Sequence, residues 1–440
     1  MKRRNPNSRE GKPAFELAPS HEHRPLRFPD GFLWGTATAA HQVEGGNRWN
    51  DWWDWERKPG KVGGGDRSGQ ACDFWHRYEQ DFDLAAANHM NAHRLSIEWS
   101  RIEPREGEWD ERAISHYRHV LKALHDRGQS VMLTLFHFSI PAWFATRGGW
   151  ASRDAVRLFE RFTRKVAETM GDQVDFWCTM NEPVVFVVMG HVLGLWPPGE
   201  KDYGRAWRAW RNITKGHVAA YDVLHEMARD AGRPARVGIA NNLVSMYSYR
   251  KHSFLDGMYL LASDRVWNHE FYRETARAHD YLGVNYYFHQ RVNREEGRFF
   301  QMFVDIREEN REMSDIGWEI YPAGIFDVMQ ELKELHLPIY VTENGIATLN
   351  DDRRIRFIVS YVKELYHAIQ SGIDIRGYFH WSLLDNFEWE KGYAARFGLV
   401  GVDFATQERQ VKKSFRVYGE LARQNAITHD LLRYLGHSVE

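Results

Sequence analysis

Residues 338–368 read PIYVTENGIATLNDDRRIRFIVSYVKELYHA, a short apolar run followed by a longer segment with a different period. Pro338–Glu343 is rich in strand-forming residues. Within 355–368 the apolar residues recur at helical spacing, at Ile355, Ile358, Val359, Val362, Leu365 and Tyr366. The pair Asn344-Gly345 between the two segments would by itself favour a hairpin turn. A strand that leads into a helix is not an arm of a hairpin, so the stretch predicts a strand-loop-helix unit of a parallel sheet.

The same alternation of strand and helix extends over most of the chain. Helical patterns lie between most of the apolar runs, for example at Ala113–Arg127, Arg153–Met170 and Thr214–Ala231. The eight runs are Phe32–Ala39, Ala92–Glu98, Ser130–Phe138, Val174–Thr179, Ala235–Asn241, Tyr281–Tyr287, Pro338–Glu343 and Ile375–Trp381. Eight such units predict an α/β fold, a single (β/α)8 TIM barrel over residues 27–440, preceded by a flexible arm at 1–26.

Composition excludes several classes of protein. The 440 residues carry a net charge of −2, so no charge excess attracts nucleic acid or an anionic membrane. Two cysteines make a disulfide framework improbable, and a reducing cytoplasm is the expected compartment. No metal-ligand spacing is recognisable, so we predict neither a metal nor a cofactor. The 18 Trp and 19 Tyr exceed the needs of a core and suit stacking against sugar rings.

Two glutamates stand where two of the strands end. Glu182 follows run four in Thr179-Met180-Asn181-Glu182-Pro183, and Glu343 ends run seven. Each string alone can be an ordinary turn, because proline ends a strand cleanly. In a barrel, however, the carboxyl ends of all strands meet at one mouth. Two carboxyl groups in different protonation states, about 5 Å apart, are what cleavage of a glycosidic bond with retention of configuration requires.

Further polar residues end other runs. They are Gln42, Glu44, His137, Asn285, Tyr287 and Trp381. A barrel that served stability alone would have little reason to collect such side chains at one end. Their position predicts a substrate site there.

Five motifs, in order, resemble those of glycoside hydrolase family 1, the retaining β-glucosidases and β-galactosidases. They are FLWGTATAAHQVEG at 32–45, RLSIEWSRI at 94–102, the two glutamate strings, and WSLLDNFEW at 381–389. The likeness covers about residues 27–420. It implies a retaining exo-β-glycosidase that hydrolyses terminal β-D-glucosyl residues, and also β-galactosyl or β-fucosyl residues, of small glycosides or short oligosaccharides.

The resemblance also implies a role for each matching residue. Glu182 would be the acid/base and Glu343 the nucleophile, which Arg94 and Tyr287 would position and keep ionised. The substrate-binding set would comprise Gln42, His137, Asn181, Asn285, Trp318, Trp381, Glu388 and Trp389. Of these, Trp381 would stack on the sugar ring and Trp318 would line the aglycone side.

The chain departs from the family pattern at three places. Phe138-Ser139-Ile140-Pro141 follows His137 where many members have Trp-Asp-Leu-Pro, and residues 242–280 form a short connection. Glu390 follows Trp389 where a small residue is common. These differences leave aglycone preference open. A 6-phospho-β-glycosidase, a transglycosidase and a sugar-binding barrel without catalysis therefore remain alternatives.

Overall fold

A computed structural model describes residues 25–248, 253–292 and 312–436. The predicted arm lies almost entirely outside these residues, except that Leu26 pairs with Ile427 in a short antiparallel bridge. The strands are β1 (Leu26–Arg27), β2 (Leu33–Ala37), β3 (Ala92–Ser96), β4 (Ser130–Phe136), β5 (Phe176–Asn181), β6 (Val237–Ser248), β7 (Leu282–Val292), β8 (Ile339–Asn344), β9 (Ile375–Trp381), β10 (Val400–Val402), β11 (Arg409–Val411) and β12 (Ala426–Ile427).

Strands β2 to β9 form a closed barrel in sequential order, and every neighbouring pair is parallel. Closure is made by β2 against β9, with Ala37 opposite Trp381. All eight predicted strands are present in the predicted order, so the TIM barrel is confirmed. Because β8 pairs in parallel on both sides, the hairpin interpretation of Asn344-Gly345 is wrong.

Helices connect the strands and pack around the outside of the barrel. Their bounds are α1 (Ala40–Val43), α2 (Asp51–Trp55), α3 (Phe74–Ala87), α4 (Trp99–Ile102), α5 (Glu111–His125), α6 (Ala142–Thr146), α7 (Ala155–Met170), α8 (Pro183–Val187), α9 (Tyr203–Asp230), α10 (Phe254–Asp264), α11 (Glu270–Glu274), α12 (Ala323–Leu332), α13 (Asp351–Gln370), α14 (Lys413–Gln424) and α15 (His429–Leu432). Single π-helical turns follow α8 at Val188–Val192 and α10 at Arg265–His269.

Three predicted boundaries are wrong. Strands β6 and β7 extend seven and five residues beyond their predicted ends, because they continue to pair with each other above the barrel, as far as Ser248 opposite Val292. Helix α9 begins at Tyr203 rather than Thr214, since the side chain of Asp202 accepts a hydrogen bond from the backbone N–H of Arg205 and caps its first turn.

The amino-terminal end of the barrel interior is closed by side chains. Phe176, Tyr281, Tyr340 and Phe379 belong to one buried cluster there, and the rings of Phe176 and Tyr281 each lie within 5.3 Å of Tyr340. The barrel is therefore a packed core at this end and not a channel.

Candidate active site

A pocket opens at the carboxyl ends of the barrel strands. Its lining includes both predicted catalytic glutamates. The lining residues are His137, Phe138, Asn181, Glu182, Val185, Met189, Trp196, Asn242, Tyr287, Phe288, Ile316, Trp318, Glu343, Trp381, Glu388, Trp389, Glu390, Lys391 and Phe397. Side chains from all parts of the chain thus meet at one mouth, as the topology requires.

Glu343 is the penultimate residue of β8 and is almost fully buried. The next residue, Asn344, fixes the end of the strand by donating to the carbonyl of Tyr286 (2.6 Å) and accepting from the hydroxyl of Tyr378 (3.0 Å). A β-carbon at Gly345 would overlap the carbonyl oxygen of Trp381, so only glycine fits at this position. The Glu-Asn-Gly string therefore positions one carboxylate and packs β8 against β9.

Two side chains hold the Glu343 carboxylate. The guanidinium of Arg94, on β3, donates to Oε1, and the phenol of Tyr287, on β7, donates to Oε2 at 2.6 Å. Burial opposes the charge on Arg94, but the neighbouring Glu343 carboxylate raises the pKa of this arginine above its usual range. Burial and the charge of Glu343 also raise the pKa of Tyr287, which keeps the phenol protonated as a donor. Both oxygens of Glu343 are therefore held by donors that stay protonated.

Glu182 occupies a strained position between β5 and α8. Its φ of 45° lies in the left-handed region, which costs a residue with a β-carbon about 1–2 kcal/mol. Pro183 begins α8, and the backbone N–H of Glu182 donates to the carbonyl of Ala240 at 2.7 Å. Strain of this kind persists where the surroundings fix it, and here it directs the carboxyl group into the pocket.

Two amides bind the Glu182 carboxyl group through the same oxygen. Asn285 and Asn242 donate to Oε1 at 2.8 and 3.1 Å. Burial, reinforced by the negative charge of Glu343, raises the pKa of Glu182 to about 8, although these amide contacts lower it. Near neutral pH Glu182 therefore keeps its proton and can donate it.

A continuous chain of hydrogen bonds connects the two carboxyl groups. The Asn285 amide that binds Glu182 also donates to Asn181 Oδ1 at 3.1 Å, and Arg94 donates to the same oxygen at 2.6 Å while it binds Glu343. The side-chain N–H of Asn181 faces His137 Nε2 at 3.3 Å. Burial and Arg94 lower the pKa of His137 far below its usual range, so its ring is neutral. Its buried Nδ1 has no partner among the described residues and can bind a ligand hydroxyl.

Another wall of the pocket carries Glu388 and stacked aromatic rings. The ring of His137 stacks between Trp381 and Trp389, at centroid distances of 5.9 and 6.1 Å. Gln42 supports this wall from behind, because its amide donates to Glu388 at 3.1 Å. Burial, followed by the charges of Glu390 and Glu343, raises the pKa of Glu388 well above its usual range. A protonated Glu388 can donate as well as accept a hydrogen bond.

An apolar side of the pocket lies around Trp318. This ring contacts Tyr287 at 5.4 Å, Phe288 at 5.2 Å and Phe397 at 6.2 Å. The pocket therefore has one wall rich in hydrogen-bonding groups and another that offers aromatic surface. This division suits a sugar attached to an apolar aglycone.

All twelve residues that the sequence predicts for the site lie at this end of the barrel. Arg94, Gln42 and Asn285 stand behind the lining rather than in it, and each is fully or almost fully buried. The side-chain N–H group of Asn285 donates to Asn181 and Glu182, and its side-chain oxygen accepts from the hydroxyl of Thr342 at 2.7 Å. In the unliganded structure it therefore positions the acid, and contact with substrate stays a prediction.

Two of the lining residues that sequence reasoning missed make hydrogen bonds that shape the site. Asn242 comes directly after predicted run five and holds Glu182, while the indole of Trp267 donates to Asn242 at 3.2 Å. Trp196 donates from Nε1 to Glu390 at 2.6 Å. The position of Asn242 at a strand end was a usable signal, because β6 continues through it. Trp196 lies in a loop after α8, where no period or motif marks it.

One group of potential metal ligands occurs in the part of the chain that the structure describes. It comprises Asp264, His269 and Glu331, none of which lines the pocket. Hydrogen bonds to Asp264 and to Glu331, both 3.3 Å away, raise the pKa of His269 to about 9. A protonated imidazole between two carboxylates forms ion pairs, and a metal ion would have to displace its proton.

Comparison with known proteins gives concordant results. The sequence profile described as Glycosyl hydrolase family 1 matches residues 24–276 and 261–427. Beta-glucosidase A of Thermotoga maritima is 32% identical over 91% of this chain and 99% of its own length. The structure of a beta-glycosidase from Pyrococcus horikoshii is similar with a TM-score of 0.84 and 36% identity, covering 94% of this chain and 99% of the other. A Thermotoga maritima beta-glucosidase in complex with galacto-hydroximolactam has a TM-score of 0.83 and 31% identity, at 91% and 99% coverage.

Proposed function

The chain belongs to glycosyl hydrolase family 1 and is a retaining β-glycosidase, and on this premise we propose specific roles for its residues. Glu343 is the nucleophile and Glu182 the acid/base of a double displacement on terminal β-D-glucosyl groups. The observation that carries the proposal is the unequal environment of the two glutamates: Arg94 and Tyr287 donate to Glu343, whereas Glu182 is buried with a raised pKa.

In the first step an oxygen of Glu343 attacks the anomeric carbon from the α face. The glycosidic bond breaks, its oxygen takes the proton of Glu182, and the aglycone leaves as an alcohol. The sugar is then an ester of Glu343, which no longer carries a charge. The contribution of this charge to the raised pKa of Glu182 is lost, and Glu182 remains as a carboxylate.

In the second step Glu182 acts as a base. It removes a proton from a water molecule, whose oxygen attacks the anomeric carbon from the β face. The ester bond breaks and Glu343 leaves as a carboxylate, which Arg94 and Tyr287 again stabilise. Two inversions give the β-anomer of the sugar.

The hydroxyl-binding wall supports unphosphorylated sugars as substrates. Glu390 lines the pocket with its carboxylate 3.5 Å from the ammonium of Lys391, so a 6-phosphate would have to compete with this carboxylate for Lys391. Tyr393 is not available for a phosphate, because its hydroxyl donates to the carbonyl of Ser68 at 2.6 Å. Binding of a galacto-configured inhibitor by the Thermotoga maritima relative supports β-galactosides, and by extension β-fucosides, as further substrates.

A panel of nitrophenyl glycosides tests this specificity. We expect kcat/KM for 4-nitrophenyl β-glucoside to exceed that for its 6-phosphate by at least ~10²-fold, since an unpaired buried charge costs several kcal/mol. The β-galactoside and β-fucoside should be hydrolysed as well. Initial release of nitrophenolate is the measurement. Preference for the phosphate would refute the proposed substrate class and favour the 6-phospho-β-glycosidase.

The proposed acid also predicts a pH dependence. Glu182 must be protonated for the first step, and a carboxyl group with a raised pKa loses its proton as pH increases. For glucosides with poor leaving groups, kcat/KM should therefore fall as pH rises through about 8. Initial rates measured across this pH range give the descending limb of the kcat/KM profile. In Glu182→Gln the limb should disappear, and its persistence there would assign it to another group.

Residence in a reducing cytoplasm is a further proposal. Its support is limited to the two cysteines, which are buried and free. Their thiols contact backbone carbonyls, of Asp385 for Cys72 and of Met180 for Cys178. Among the described residues no helix is both long and apolar enough to cross a membrane.

A further inference from the structure

Glu390 joins two walls of the pocket. Its Oε2 accepts the 2.6 Å hydrogen bond from the indole of Trp196, a residue 194 positions earlier in the chain. Both residues line the pocket, and Glu390 stands where the family commonly has a small residue. The hydrogen bond between Glu390 and Trp196 is therefore a feature of this chain, and the catalytic residues that the chain shares with its family do not explain it.

This bond lies at the hydroxyl-binding end of the pocket. The Trp196 ring contacts Phe138 at 4.8 Å and Trp389 at 5.9 Å, and both of these contact His137. The aromatic group around Trp318 forms the other side and includes neither residue. A substituent that extends from the far end of a bound sugar would thus meet the Glu390–Trp196 contact.

This end of the pocket is partly exposed to solvent at Glu390 and Lys391. Trp196 is 6% exposed, whereas the side chains of Glu390 and Lys391 are 24% and 49% exposed although they also line the pocket. The ammonium of Lys391 lies 3.5 Å from the other Glu390 oxygen on the outer side. The Glu390–Trp196 contact thus lies between the buried part of the pocket and partly exposed side chains.

The backbone fixes both partners. Trp196 and Leu195 donate their N–H groups to the carbonyl of Met189, at 3.2 and 2.9 Å. On the other side, Glu390 lies in the 3₁₀ turn Trp389–Lys391, which the bond from the Lys391 N–H to the Glu388 carbonyl closes at 2.9 Å. These backbone bonds fix the turns that carry Trp196 and Glu390, and the side-chain hydrogen bond joins the two turns.

We propose that Glu390 is a specificity-determining residue whose bond to Trp196 closes the non-reducing end of the pocket and restricts the enzyme to a single terminal sugar. The inference rests on the proposed function. It adds that the exo mode of this enzyme depends on one hydrogen bond between two side chains, and that its loss creates space for a second sugar unit.

The test compares 4-nitrophenyl β-glucoside with 4-nitrophenyl β-cellobioside, whose direct cleavage releases intact cellobiose. Chromatography of early time points distinguishes cellobiose from glucose. In Glu390→Ala, the rate of cellobiose release relative to glucoside hydrolysis should rise at least ~10-fold over the wild type, the scale of one lost pocket contact. Trp196→Phe, which keeps a ring but removes the donor, should change the ratio in the same direction.

Glu390→Gln is the matched control. Its amide oxygen still accepts the indole hydrogen bond while the charge is gone, so cellobiose release should stay within about twofold of the wild-type ratio. If Glu390→Gln increased relative cellobiose release as much as Glu390→Ala, the loss of charge would explain the effect. That outcome would overturn the proposal. Unchanged ratios in both Glu390→Ala and Trp196→Phe would also overturn it. Failure of the wild type to hydrolyse the glucoside would refute the proposed function instead.

Discussion

Glu343→Gln is expected to lose turnover of every β-glycoside by a factor on the order of 10⁴ to 10⁶, the loss typical when a nucleophile is removed. The amide cannot form the ester with the anomeric carbon, so activated and unactivated substrates should be affected alike. The change is nearly isosteric, but it leaves Arg94 without its buried carboxylate partner. Initial rates with nitrophenyl and alkyl glucosides, together with the melting temperature, separate lost chemistry from lost folding.

A matched control is available in another buried glutamate. Glu98 is fully buried and accepts hydrogen bonds from the hydroxyls of Ser100 and Ser139, both at 2.8 Å, but it does not line the pocket. Glu98→Gln should change stability more than chemistry. In the wild type, a 2-deoxy-2-fluoro β-glucoside should form a stable ester, which peptide mass spectrometry places on Glu343. Labelling of another residue, or an α-anomer as the first product by proton NMR, would contradict the assignment.

The strands and the catalytic pair were predictable from sequence for a physical reason. Buried parallel strands are continuous apolar runs, and the residues that end them must face the mouth of the barrel. Glu182 follows its apolar run and Glu343 ends its run, each at the carboxyl end of a strand. The local hydrophobic pattern was sufficient to predict the strands, and position at the end of a run was sufficient to predict the two glutamates.

What the sequence did not predict depends on contacts between distant segments. Where β6 continues above the barrel, apolar residues such as Leu243, Val244 and Met246 are mixed with Asn242, Ser245 and Ser248, so no continuous apolar run marks this part of the strand. Trp196 enters the site through its bond to Glu390, which no local pattern encodes. Asn285 was predicted as a sugar ligand, whereas its hydrogen bonds bring it to Glu182 and Asn181. The residue types were therefore recognisable, but their partners required the fold.

The role of Glu182 predicts a loss that depends on the leaving group. In Glu182→Gln, cleavage of dinitrophenyl glucosides should persist through the first step, because this leaving group needs no proton. Alkyl glucosides should slow by about 10²- to 10⁴-fold, the contribution of general acid catalysis. Asn285 and Asn242 donate to one oxygen of Glu182, and the glutamine retains an oxygen for them, so the geometry of the pocket should survive.

The second step supplies a stricter test of the same residue. Without a carboxylate to activate water, the glycosyl-enzyme should accumulate in Glu182→Gln, and azide should accelerate its breakdown because this nucleophile needs no base. Azide attacks from the face opposite Glu343, so the product should be the β-glycosyl azide, identified by its proton coupling constant. Azide should not yield that product with Glu343→Gln, in which the vacated face is the α face and the acid is still present. A β-azide from Glu343→Gln would reverse the two roles, since it would show that the ester forms on Glu182.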